Sequence, residues 1–348
     1  MKEIDNLTPF GYASAFAYDL DDSAVAVLCI AGSFRMPPPG TIDETQLEIL
    51  DEQLPPPMAD EYWSDPASSS LRSSGQGSPR RVGTEIYLRG SAWAESGRPT
   101  PRIRTSLSVG PCRKVVDVVG DRYWVRGLVD VTPTRPEPIV SLPLMYERAF
   151  GGTSRSSNGL ILAQEESNPV GRGVYAKRKD AADQPLPNLE SPGETMDNWD
   201  FRGIPCCYGP VPGSWQPRRR LAGTYDQEWL EGRMPLWPCD ADPRFFVSAA
   251  AGLATAEPLL GGEPVLIEGM APEGSFGFQV PRFRVAAKSV YADNRVTRGI
   301  MQLSGLLFEP DVRKVTLYWS RSVPLGHGAG MHLRSIVRLL ERWEEVPV

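Results

Sequence analysis

A mainly β fold, sandwich- or meander-like, is predicted by three features of the chain. They are short β-branched runs with two-residue alternation, turn residues at intervals of about a dozen positions, and an excess of glycine and proline. The 348 residues include 33 Gly and 34 Pro, about a fifth of the chain against a usual share of roughly 12%. That excess disfavours long helices and favours short strands joined by turns. A hydrophobic content of 41% and nine Trp argue against disorder, since such a chain can bury a core.

The elements follow in order. Residues 24–30 form an apolar, β-branched-rich run that reads as a buried strand. Pro37-Pro38-Pro39-Gly40 stops it, and 46–53 leads into 55–79, a Pro-, Ser- and Asp-rich segment expected to be the mobile loop of the protein. Alternation returns at 84–90, 103–109 and 114–119, punctuated by Gly97, Gly110 and Gly120-Asp121, and 122–125 extends it. Further strands are expected at 263–269, 276–280 and 315–319. Leu333, Ile336, Val337, Leu340 and Trp343 fall at helical spacing, which predicts a C-terminal amphipathic helix over 331–345. Strands flank the middle of the chain on both sides, so one integrated body over 1–348 is expected, without internal repeats.

Between Leu142 and Phe246 periodicity gives way to dense short motifs. They include Tyr146-Glu-Arg-Ala-Phe-Gly-Gly152, Asn168-Pro-Val-Gly-Arg-Gly173, Leu186-Pro-Asn-Leu-Glu190, Trp215-Gln-Pro-Arg218 and Gly223-Thr-Tyr-Asp226 with Trp229. Gly, Pro, Asn and Asp at this density dictate backbone dihedrals, while the large side chains pin the loops. An ordered, loop-rich scaffold is expected here.

Usual catalytic signatures are missing from the sequence. The two histidines, His327 and His332, have no second ligand at metal spacing, and no Gly-x-Ser-x-Gly elbow occurs. Gly171-Arg-Gly173 and Gly261-Gly262 lack the strand and helix of a dinucleotide site. Neither a metal nor a cofactor is expected. Glu147, Glu190, Asp226 and Glu263 lie in motif contexts, and a pair of them could serve a glycosidase at the right separation. The simpler reading makes them ion pairs or loop caps, Glu147 with Arg148 and Asp226 with Arg218. Trp215, Tyr225, Trp229 and Trp237 suggest a stacking platform, although a loop-rich fold more often uses Trp as a core plug.

A net charge of −6 offers no attraction for nucleic acid or an anionic membrane. The five cysteines, Cys29, Cys112, Cys206, Cys207 and Cys239, lack a disulfide spacing and read as small buried hydrophobes of a reducing compartment. Residues 1–16 show no secretory pattern, and a cytoplasmic protein is expected.

Taken in order, the motifs resemble a bacterial family of domains of unassigned function encoded in type VI secretion loci. The resemblance runs from Thr8-Pro9-Phe10 to about Pro281 and also includes Gly120-Asp-Arg122 with Trp124. It implies a non-enzymatic adaptor or chaperone whose partners are an effector toxin or a PAAR-type spike protein. No catalytic residue carries over from that family. The candidate binding positions are Tyr146, Glu147, Arg148, Gly151, Gly152, Asn168, Gly171, Asn188, Glu190, Trp215, Arg218, Gly223, Tyr225, Asp226 and Trp229, as scaffold or interface. The alternative is a carbohydrate-active enzyme or sugar-binding module on a β-scaffold.

Overall fold

The run at 24–30 belongs to a longer strand, Ala24–Arg35, buried along nearly its whole length. In the computed structural model, which describes residues 3–43, 47–127 and 130–341, this strand lies inside a five-stranded sheet. The order is Gly11–Tyr18, Ala24–Arg35, Lys314–Pro324, Gln302–Glu309 and Glu85–Leu88, antiparallel except for the last pair. A six-stranded sheet runs Leu189–Glu190, Cys112–Val119, Arg102–Val109, Pro264–Glu268, Phe276–Gln279 and Thr41–Asp43, again with only the last pair parallel. The mainly β expectation holds, and each strand expected from the alternation is present.

Side chains from both sheets meet in one core. Leu28, Ile30 and Phe34 face Leu107, Val116 and Ile267 there, and Phe10 stacks on Trp319 with ring centroids 5.6 Å apart. Burying each such side chain contributes about 1.5–3 kcal/mol.

The strand Ala24–Arg35 has no polar face, so its second side also needs a cover. Residues 55–79 supply it. Met58 packs on Val25, Val27 and Cys29, the Cys29 thiol donates to the Gln76 carbonyl at 3.1 Å, and Ser70, Leu71 and Gln76 are buried. The expectation of a mobile loop is therefore corrected: polar composition hid a segment whose backbone and few apolar groups lie against the sheet.

The C-terminal helix is also corrected. Residues 332–340 form a strand, His332–Leu340, in a four-stranded sheet of order Glu3–Asn6, His332–Leu340, Arg284–Tyr291 and Val296–Ile300. Apolar residues and arginines at helical spacing suit either state locally. The decision is tertiary, because neighbours pair with both edges and the Ser335 and Ser289 hydroxyls lie 2.8 Å apart. Ile336 and Val337 also favour a strand. Residues 342–345, Trp343 among them, lie outside the described residues.

Candidate functional site

The motif block begins with a single 3-10 turn, Tyr146–Arg148, and folds back on itself around one asparagine. Gly151 has φ +144°, and a Cβ there would lie 2.2 Å from the Asn168 carbonyl oxygen, so no larger residue fits. Asn168 is 0% exposed. Its Nδ2 donates to the carbonyls of Tyr146 and Phe150, each at 2.9 Å. In return, Gly152 and Gly171 donate their backbone N–H groups to the Asn168 carbonyl at 2.7 and 3.3 Å. An aspartate has no donor for those two carbonyls. Phe150–Gly151 and Arg172–Gly173 then pair in parallel, which closes a cradle.

A second asparagine ties the cradle to the six-stranded sheet. Asn188, also 0% exposed, donates to the Val119 carbonyl at 3.0 Å and to Asp121 Oδ1 at 2.9 Å. Its Oδ1 accepts from Arg148 Nη1 at 3.1 Å. Two residues on, buried Glu190 accepts from Arg122 Nη2 at 2.6 Å, and the same nitrogen reaches the Pro187 carbonyl at 2.8 Å. Removing one partner of such a pair leaves an uncompensated buried charge.

Glu147 does not pair with Arg148. Its oxygens accept from the Ser70 N–H at 2.7 Å and the Ser70 hydroxyl at 2.8 Å, which fastens the cradle to the 55–79 cover. Neighbouring side chains on a 3-10 turn diverge, so Arg148 points to Asn188 instead. Asp226 and Arg218 are not paired either. Asp226 caps the helix Gln227–Gly232 by accepting from the Trp229 N–H at 2.9 Å. Arg218 donates to the Phe245 carbonyl at 3.0 Å and to the Val211 carbonyl, and lies over the Phe245 ring. The cap reading of these carboxylates is right and both ion pairs are wrong.

No aromatic platform forms from the named residues. Trp215 is 4% exposed and meets Tyr146 edge-on at 5.5 Å, while burial pushes the Tyr146 phenol well above its usual range. The Trp237 indole donates to the Tyr18 carbonyl at 2.9 Å. Only Tyr225 and Trp229, edge-on at 4.6 Å, lie together near the surface.

That pair belongs to a separate unit, a lip over residues 223–240. Gly223 has φ +87° and packs on Pro238 and Asp240. Asp240 accepts from the Thr224 N–H and hydroxyl at 2.9 and 2.8 Å, which holds its carboxyl below the usual value. The lip is fastened to the five-stranded sheet by Arg233, whose Nη2 donates to Asp22 at 2.6 Å.

Two features escaped sequence reasoning. Glu85, in the expected strand at 84–90, is buried and accepts from the backbone N–H groups of Ser248 and Ala249 and from the Tyr87 hydroxyl. Burial opposes its charge, but Arg81, Tyr87 and Ser248 hold its carboxyl below the usual range. The pair Arg81 and Glu85, four residues apart, was the available signal. The other feature is a hairpin, Thr153–Arg155 with Ile161–Gln164, projecting between two cradle motifs. Leu160, Ile161 and Leu162 on it are each more than half exposed. An apolar triplet after Asn158-Gly159 was its signal.

Chemically, the cradle's Asn168 and Asn188 amides and its Glu147 and Glu190 carboxylates are each bonded to the chain, while Asn168 Oδ1 and one Glu190 oxygen are buried without a hydrogen-bond partner. Four cysteines are buried and Cys239 is exposed, and burial pushes the Cys207 thiol up to about 12. Among the described residues no group of three or more His, Cys, Asp or Glu is placed to hold a metal ion. No helix there is long and apolar enough to cross a membrane.

No curated protein and no solved structure matches this chain significantly. Residues 21–320, which contain the cradle, the hairpin and the lip, match DUF2169, described as an uncharacterized protein conserved in bacteria. This chain is a member of that bacterial family.

Proposed function

We propose that this protein is a non-enzymatic adaptor that holds a type VI secretion effector, or its PAAR-type spike carrier, in the cytoplasm before loading. One observation carries the reading. The key polar side chains of the cradle are engaged with the chain itself, while a hairpin between its motifs presents apolar residues to solvent. Asn168, Asn188, Glu147 and Glu190 all serve the backbone or a buried partner, whereas Leu160, Ile161 and Leu162 serve nothing within the chain's core. A contiguous exposed apolar patch marks a protein-binding surface more often than an accident of folding. A two-stranded hairpin is marginal alone, but this one is held at its base, where the Glu165 N–H meets the Gly152 carbonyl at 3.0 Å and the Thr153 hydroxyl meets the Pro169 carbonyl at 3.0 Å. The type VI assignment is supported by the ordered motif series.

The test is an affinity capture of the tagged protein from its native cytoplasm, alongside the variant Leu160→Ser/Ile161→Ser/Leu162→Ser. Near-stoichiometric recovery of a toxin or PAAR-bearing protein with the parent chain, reduced in the variant, supports the reading. A folded bait that recovers neither class of protein sinks it.

A further inference from the structure

The lip carries a second surface, chemically unlike the hairpin. On it Tyr225, Leu230 and Met234 are each more than half exposed, and Tyr225 packs on Trp229, which lines an open cavity of about 430 Å³. Asp226, Glu228 and Asp240 line this cavity with the Trp229 ring. Its one lining cation, Arg233, is paired with Asp22, and Arg219 and Arg220 do not line it. Two of the carboxylates are fixed, Asp240 by Thr224 and Asp226 by the Trp229 N–H, so their charges cannot swing aside. Apolar anchors on the same segment as a net negative hollow select their occupant by charge, since like charges brought together across an interface are strongly unfavourable.

We infer that the lip is a docking surface for a basic, amphipathic segment of the client protein, whose apolar side chains cover Tyr225, Leu230 and Met234 while a lysine or arginine enters the cavity against Glu228 and the Trp229 ring. This deepens the adaptor reading and rests on it. The indole face adds cation–π attraction for the same group. Because the partner's charge meets exposed carboxylates, binding weakens as salt rises.

The experiment uses the full chain and two fluorescein-labelled peptides, one alternating leucine with lysine and one alternating leucine with glutamate. Fluorescence anisotropy should show binding of the first peptide alone. Glu228→Lys, and separately Leu230→Ser/Met234→Ser, should each weaken it by about tenfold or more. Glu95→Lys makes the same charge change on a distant exposed turn and should leave the affinity unchanged; melting curves matching the parent establish that every variant is folded. Equal loss in Glu95→Lys would reduce the effect to overall charge and overturn the inference. Binding of the glutamate peptide, or of neither peptide, also overturns it. So does concentration-dependent self-association that Leu230→Ser/Met234→Ser abolishes, since a second copy would then be the occupant. Native capture separates this inference from the adaptor reading: a client retained by the Glu228→Lys chain overturns the lip assignment and leaves the adaptor standing.

Discussion

The cradle around Asn168 and the lip around Asp226 are written in the same alphabet of Gly, aromatic residues and short polar side chains, yet they lie at opposite extremes of exposure. In the cradle the asparagines are fully buried and their side-chain amides donate inward to backbone carbonyls. In the lip the same vocabulary makes an acidic hollow on a segment that also exposes apolar groups. Motif density thus reports constraint on the backbone, and only the surroundings decide whether a constrained loop is scaffold or surface.

The sharpest way to break this contrast is to place the same substitution in both regions. Gly151→Val should abolish soluble expression or cost more than about 4 kcal/mol, because both its φ and the nearby Asn168 carbonyl forbid a side chain. Gly223→Val meets Pro238 and Asp240, which belong to the lip itself, so its loss of stability should be smaller. Equal losses in urea denaturation would erase the distinction.

Next in size is Asn168→Ala. It removes the amide bonds to the Tyr146 and Phe150 carbonyls, of which Tyr146 keeps the Ala149 N–H as a donor, and should cost about 2 kcal/mol, read as a lower urea midpoint with an unchanged slope. A change below about 0.5 kcal/mol would mean the cradle does not depend on it. Glu147→Gln should cost about 1–2 kcal/mol, since one of its two acceptors for Ser70 becomes an amide. Limited proteolysis should then cut within 55–79 faster, because that bond joins the cover to the cradle.

The smallest effect separates the regions by pH. The Tyr146 phenol is raised in the fold by burial, so the folded state holds its proton where the unfolded state has released it. Its contribution is complete below about pH 10 and is lost as pH rises beyond that. Tyr146→Phe should delay part of the alkaline unfolding seen by circular dichroism. Asp240 is shifted the other way by Thr224, so the lip keeps this contact above the ordinary aspartate value near 3.8 and loses it as pH falls through the lowered one. The Thr224 amide resonance should stay unmoved down to that point. Movement near pH 5 would contradict the contact.

Much of the fold was legible in the chain. The strands Arg102–Val109 and Cys112–Val119 announced themselves by alternation, and the buried run at 24–30 by its lack of polar residues. The cap role of Asp226 was legible because it acts over three residues. The bond from Glu147 to Ser70 was not, since it spans 77 positions and no local pattern marks it. The buried role of Glu85 escaped although Arg81 lies four residues away, because its backbone donors, Ser248 and Ala249, lie 163 and 164 positions along the chain, just past the motif block.

By itself, then, the amino-acid sequence determined the β class, the turn-forming glycines and the constrained character of the motif block, because dihedral preference and alternation are local properties. Tertiary structure alone decided three things: that 332–340 is a strand, that 55–79 is a cover, and which of two similar motif regions faces water. In each case the deciding energy comes from partners distant in sequence: an open sheet edge to be paired, an apolar face to be covered, and buried carbonyls reached by the Asn168 amide from 22 and 18 positions away.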